Sequence, residues 1–145
     1  MKRHPSLQTL SRDHHHALVI AQRLRRADDE CVGEAQAAFL DFWRTECVAH
    51  FRAEEEVLLP RLAAAGGADS TAVARVLVDH AEIRLRAFRL QGGAVSAAVL
   101  KELGELLAEH VRLEERDLFP AIEELLDDHD LRRLTADVAA AELES

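Results

Sequence analysis

The stretch HFRAEEEVLLP at residues 50–60 decides the reading of this chain, because HVRLEERDLFP at residues 110–120 writes it a second time. His, Arg, Glu-Glu, Leu and Pro recur at the same offsets, and apolar residues match at Leu59 and Phe119 and at Leu62 and Ile122. In each copy a histidine stands four residues before a glutamate: His50 before Glu54, His110 before Glu114. Residues four apart on a helix stack on one face, one turn over the other. Imidazole nitrogen and carboxylate oxygen converging on one point suit a divalent transition metal. A lone His-x-x-x-Glu is more often a surface hydrogen-bonded pair. Two copies at matched positions favour a dinuclear metal site, with each glutamate bridging both ions.

Composition agrees with a helical setting. The chain of 145 residues is rich in Leu, Ala, Glu and Arg and has no Tyr, a mixture that favours helix over sheet. Its length predicts one domain, 1–145, with a bundle core over about 7–126 and a tail over 127–145. A net charge of −9 argues against nucleic acid as a partner. No apolar run approaches the roughly 18–20 residues needed to cross a bilayer. The basic start is followed by no signal-peptide core, so the expected compartment is the cytoplasm. Cys31 and Cys47 form no CxxC pair, and Cys47, three residues before His50, reads as a small apolar filler facing inward.

Working outward, Ser6 or Thr9 is placed to cap a first helix running to about Ala27, with Leu7, Leu10, Ala17, Leu18, Ala21 and Leu24 on its apolar face. His14 falls in phase with that stripe, and His15 at its edge is the nearest rival. A connection over Asp28–Gly33 leads to helix two, from about Glu34, where Pro60 predicts a kink or an end and Gly66-Gly67 a stop. Asp69 or Ser70 caps helix three, Thr71 to Leu90, with Val73, Val76, Leu77, His80, Ile83 and Ala87 in phase. Helix four spans about Ala94 to Leu126 and carries Leu103, Leu107, His110, Glu114 and Asp117, with Pro120 interrupting it as Pro60 interrupts helix two. Leu131 to Leu143 reads as a short amphipathic helix against the bundle, and His4 and His129 as exposed. Short connections between long helices predict an all-α, up-down-up-down antiparallel four-helix bundle with a short C-terminal fifth helix.

The candidate metal shell is therefore His14, His50, Glu54, His80, His110 and Glu114. Burying these groups in a Leu/Ala core without a cation is costly, because an unpaired carboxylate loses its hydration. Bridging by Glu54 and Glu114 would hold two metals roughly 3.5–4 Å apart. Mixed nitrogen and oxygen donors suit iron or manganese, with zinc an alternative. Glu55, Glu56, Glu115, Arg52 and Arg112 read as a solvated charged strip beside the motif, with Glu55 or Glu115 as an additional ligand the alternative.

As an ordered set, Ser11-Arg-Asp-His14-His15, His50-Phe-Arg-Ala-Glu54-Glu, Asp79-His80-Ala-Glu-Ile-Arg and His110-Val-Arg-Leu-Glu114-Glu resemble the hemerythrin-like family of HHE cation-binding domains, over about Leu7 to Ile122. That resemblance implies a non-haem di-iron centre, two iron ions joined by an oxo or hydroxo bridge, in an up-down bundle. Two departures stand out. Oxygen-carrying hemerythrins have His-x-x-x-His on the third helix, where this chain has Arg84 four residues after His80. They end on His-x-x-x-x-Asp, where this chain has His110-x-x-x-Glu114. The departures remove an imidazole and imply a more open iron, with Arg84 pairing with a nearby carboxylate.

Three functions follow as expectations: a di-iron protein that binds or senses dioxygen, nitric oxide or iron; a di-iron enzyme consuming peroxide or nitric oxide; and a redox-inert bundle stabilised by zinc or manganese. The expected partner is a small diatomic ligand or peroxide, with neither nucleic acid nor membrane, and the sequence sets no oligomeric state.

Overall fold

A computed structural model of the chain describes residues 3–67 and 70–143. Among the described residues there is no strand, and helices account for nearly all of them. A short 3-10 turn, Pro5–Leu7, leads into α1, Gln8–Arg25. Neither Ser6 nor Thr9 caps this start: the ring Nδ1 of His4 accepts the Ser6 amide at 3.1 Å. Helix α2 covers 32–62, α3 is Thr71–Gln91, α4 covers 97–125, and α5 is Asp128–Leu143. Ser70 caps α3 by accepting the Ala72 amide, and Ser96 caps α4 through the Val99 amide. The alternative cap of α3, Asp69, lies outside the described residues.

Pro60 and Pro120 do not end or sharply break their helices. Each sits two residues past a wide π-helical turn, Glu54–Leu58 in α2 and Glu114–Leu118 in α4. Such a turn already departs from the α-helical hydrogen-bond ladder, so the proline's missing amide costs little there. The turns begin on the two motif glutamates. A third wide turn, Trp43–Cys47, precedes His50 on α2. The helix stops where Gly66 takes φ 101°, a conformation glycine adopts without penalty.

Helices α1 to α4 form the expected antiparallel bundle, and α5 lies across α2 and the N-terminal turn. The core is two apolar layers. One gathers Leu24, Phe39, Phe51, Ile83, Leu90 and Leu103 among others, the second Leu10, Leu58, Leu62, Val76, Leu118, Phe119 and Leu134. On each bundle helix the layers meet at the polar motif: Leu10 and Ala17 flank His14, Val76 and Ile83 flank His80, and Val111 and Leu118 flank Glu114. Helices α1 and α4 pack closest where Gly104 meets Ala21 and Leu24, with no room for a Cβ.

Some positions depart from the helical phase read in the sequence. Leu77 and Leu18 are partly exposed and Asp117 is exposed, because the neighbouring helices cover a narrower arc than the apolar stripe suggests. His4 is half-buried and pairs with Asp128 at 2.8 Å, so it docks the chain start onto α5, whereas His129 is exposed.

Candidate metal centre

All six candidate residues are buried and turned inward: His14 from α1, His50 and Glu54 from α2, His80 from α3, His110 and Glu114 from α4. His15, the rival for the first position, is exposed. One ligand atom from each of His14, His50, Glu54 and Glu114 lies within 4.8 Å of the others, and the same holds for His80, His110, Glu54 and Glu114. Each half of the sequence thus supplies the two imidazoles of one cluster, and both glutamates belong to both clusters.

The carboxylates are shared oxygen by oxygen. Glu114 turns Oε1 to His14 Nε2 at 2.9 Å and Oε2 to His110 Nε2 at 2.9 Å. Glu54 turns Oε2 to His50 Nε2 at 3.4 Å and Oε1 to His80 Nε2 at 3.0 Å. Proximity is not hydrogen bonding, however. All four Nε2 atoms and all four carboxylate oxygens lack a hydrogen-bond partner among the described residues. Buried polar atoms are almost always paired, so eight inward donor atoms aimed past one another mark positions for cations. The donor set fits: neutral imidazole and carboxylate, with no thiolate in either cluster among the described residues. Each cluster offers the same kinds of donor, two imidazoles and the two glutamates.

The second ring nitrogen of every histidine is held by a carboxylate. His14 Nδ1–H donates to Glu115 at 2.7 Å, His50 to Asp13 at 3.2 Å, His80 to Glu55 at 2.5 Å and His110 to Asp79 at 3.1 Å. This fixes the tautomer that leaves Nε2 free for a metal. Glu55 and Glu115 are therefore neither solvated strip nor ligand. Sequence reasoning missed Asp13 and Asp79 in this role, although the repeat contained the signal: an Asp precedes both His14 and His80, and a Glu follows both Glu54 and Glu114. These carboxylates are themselves anchored. Arg84 grips both oxygens of Glu55 at 2.8 and 3.1 Å, Ser11 donates to Glu115 at 2.9 Å, and Arg75 donates to Asp79 at 3.2 Å. The expected pairing of Arg84 with a carboxylate is realised. Asp13, His50 and Glu142 also converge at the edge of the site, but there the His50 nitrogen is the one donating to Asp13.

Electrostatics follow from this crowding. Burial opposes the charged form of every ring, yet the carboxylates outweigh it: His14 is raised by Glu114 and Glu115, and His50 well raised by Glu54 and Asp13. Against the same burial, Glu114 and Glu54 lift His80 to about 8, and Glu114 with Asp79 lifts His110 to about 10. Glu114 is held well below the usual carboxylate range, its burial overcome by Glu54 and the rings of His110 and His14.

Against His14, His50 and His110 lies a cavity of about 20 Å³ lined mainly by Ala17, Phe42, Cys47, Phe51, Leu107 and Val111, with Asp13 and Glu46 completing it. Cys47 faces inward as expected, and burial raises its thiol well above the ordinary value, so it stays protonated.

A helical bundle with paired His/Glu clusters at its centre defines a class of metal-binding four-helix proteins. The hemerythrin HHE cation-binding domain model matches residues 6–122, and the chain belongs to that family. Comparison with curated proteins and with solved structures returned no significant match. No helix among the described residues is long and apolar enough to cross a membrane.

Proposed function

We propose that the chain holds two iron ions, one at each four-donor cluster, and binds a diatomic ligand, dioxygen or nitric oxide, beside them. The observation that carries metal binding is the set of eight buried donor atoms without hydrogen-bond partners. Iron is favoured by mixed imidazole and carboxylate donors without thiolate, which also admit manganese or zinc. When bound, the ions supply a redox-active, Lewis-acidic centre. The chain's own residues do the rest. Glu54 and Glu114 each face both clusters, and the four Nδ1 carboxylates hold the rings in one tautomer and orientation.

The diatomic ligand is favoured by the cavity. Its volume of about 20 Å³ suits an occupant of a few atoms. Its lining is largely aliphatic and aromatic, with the carboxylates of Asp13 and Glu46 also part of it, and so favours a small uncharged gas over an anion.

Elemental analysis of protein from iron-fed cells tests the reading. Two irons per chain and an optical spectrum that shifts reversibly with dioxygen or nitric oxide are expected. A colourless zinc protein would overturn the iron assignment, and steady peroxide loss without reversible binding would favour the enzyme reading.

A further inference from the structure

Helix α3 has a second apolar face that the bundle does not use. Val78, Leu85 and Phe88 are 61, 70 and 75 % exposed, and Ala74 and Ala81 on the same line are exposed too. Their spacing, 74–78–81–85–88, alternates four and three residues, which is the seam of a helix that packs against another helix. Helix α5, the one helix outside the bundle among the described residues, lies across α2 and the N-terminal turn, so it leaves this seam uncovered. Apolar surface of this size and order on a folded chain marks an interaction site.

We propose that this seam pairs with the same seam of a second copy of the chain, antiparallel, about a twofold axis near residues 79 and 80. The seam is complementary to itself in that register and not in the neighbouring one. Val78 meets Ala81 of the second copy, Ala74 meets Leu85, and Thr71 meets Phe88, so that each contact sets a small side chain against a larger one. Flanking charge agrees. Arg75 of each copy falls opposite Glu82 of the other, giving two opposite-charge pairs. Shifting the pairing by one heptad instead sets Glu82 against Glu82 and Val78 against Phe88, with like charges facing and two large side chains abutting. Charges at the margin of a seam choose register in this way.

Glu82 is free to turn, and Arg75 holds the buried Asp79 through Nε, which leaves its terminal guanidinium nitrogens for Glu82 of the second copy. Arg75 now pairs with Asp79 and Glu82 with Arg86, both along their own helix and with Arg75 61 % and Glu82 50 % exposed. The Glu82–Arg86 pair, at the surface, is of the kind that contributes little stability and exchanges readily. Arg84, which would otherwise crowd the seam with positive charge, is engaged by Glu55. An isologous contact of this kind closes on itself and leaves no free seam for further growth.

Sedimentation equilibrium of the full-length, metal-loaded chain tests the proposal. A dimer that dissociates on dilution is expected, and Leu85→Glu should raise its Kd at least tenfold with metal content unchanged. Arg75→Glu alone and Glu82→Arg alone should each weaken the dimer, and the double exchange should restore it. A chain that stays monomeric at every concentration overturns the proposal, and so does one that is monomeric but co-sediments with phosphatidylserine vesicles. An undisturbed dimer in Leu85→Glu places the interface elsewhere, and a double exchange without restoration rejects the register. Because metal content is read in the same samples, failure of the dimer is distinguishable from failure of the metal centre.

Discussion

His110 donates its Nδ1 hydrogen to Asp79 across a gap of 3.1 Å, although Asp79 belongs to a different helix and its chain neighbour is His80 of the same cluster. The residue beside one histidine thus orients another. The same crossing recurs at Asp13, next to His14 but bonded to His50. A ring held this way presents a fixed Nε2, and its carboxylate makes that nitrogen a stronger donor.

Removing one of these carboxylates should therefore weaken metal binding without removing a donor. For Asp79→Ala and Glu115→Ala we expect a loss in affinity of about 10–100-fold, read by competition with a coloured chelator. Affinity within twofold of the parent in both variants would show that the rings need no such support.

The glutamates should behave differently. Glu54 and Glu114 are each shared by both clusters, so Glu54→Ala or Glu114→Ala should abolish loading with two metals rather than only loosen it. Elemental analysis after saturation reads this directly, and retention of two ions in both variants would sink the bridging assignment. His14→Ala should lower the metal content and His15→Ala leave it unchanged, since only His14 is buried against Glu114.

Proton and metal compete for the same nitrogens, which sets a pH dependence of known sign. In the metal-free protein burial is outweighed by the carboxylates, which push His80 up to about 8 and His110 up to about 10 from 6.5. A raised histidine stabilises the fold fully below its unfolded value, and that contribution is lost as pH rises through the folded value. Thermal melts of the metal-free chain should accordingly show falling stability from about pH 6.5 towards 10. The loaded chain should show no such fall in that range, and metal affinity should increase with pH as ligand protons become easier to displace. Parallel pH profiles for the two forms would contradict the assignment.

At Gly104 a Cβ would stand 2.7 Å from the Ala21 carbonyl oxygen and 2.9 Å from Leu24 Cβ. Gly104→Ala gains helix propensity of about 1 kcal/mol, but forcing α1 and α4 apart costs about 1–3 kcal/mol. The backbone contact decides the sign, and a lower urea midpoint than the parent is expected. An unchanged or higher midpoint would mean the two helices separate freely.

Much of this centre was legible because its parts repeat. The two His-x-x-x-Glu stretches, and His14 and His80 in phase on their own helices, selected six residues that the fold buries and brings together in groups able to hold a metal ion. The helix runs about a turn past Pro60 and stops at Gly66, where the glycine pair was expected to stop it, while the wide turn beginning at Glu54 that accommodates the proline had no signature in the sequence. Glu55 and Glu115 were misread as solvated because their helical angle puts them off the inward face. A neighbouring helix nonetheless brings His80 and His14 to them.

What the sequence by itself determined was angular: which residues lie on which face of each helix, where caps and glycines divide the chain, and that two acidic side chains and four imidazoles share an inward side. Periodicity along one chain reports rotation about one axis and nothing more. Only the tertiary structure decided which carboxylate meets which ring and how each glutamate divides its oxygens between two clusters. It alone also left Val78, Leu85 and Phe88 facing outward. Those outcomes depend on the axial shift and rotation between helices, which packing sets through contacts such as Gly104 against Ala21.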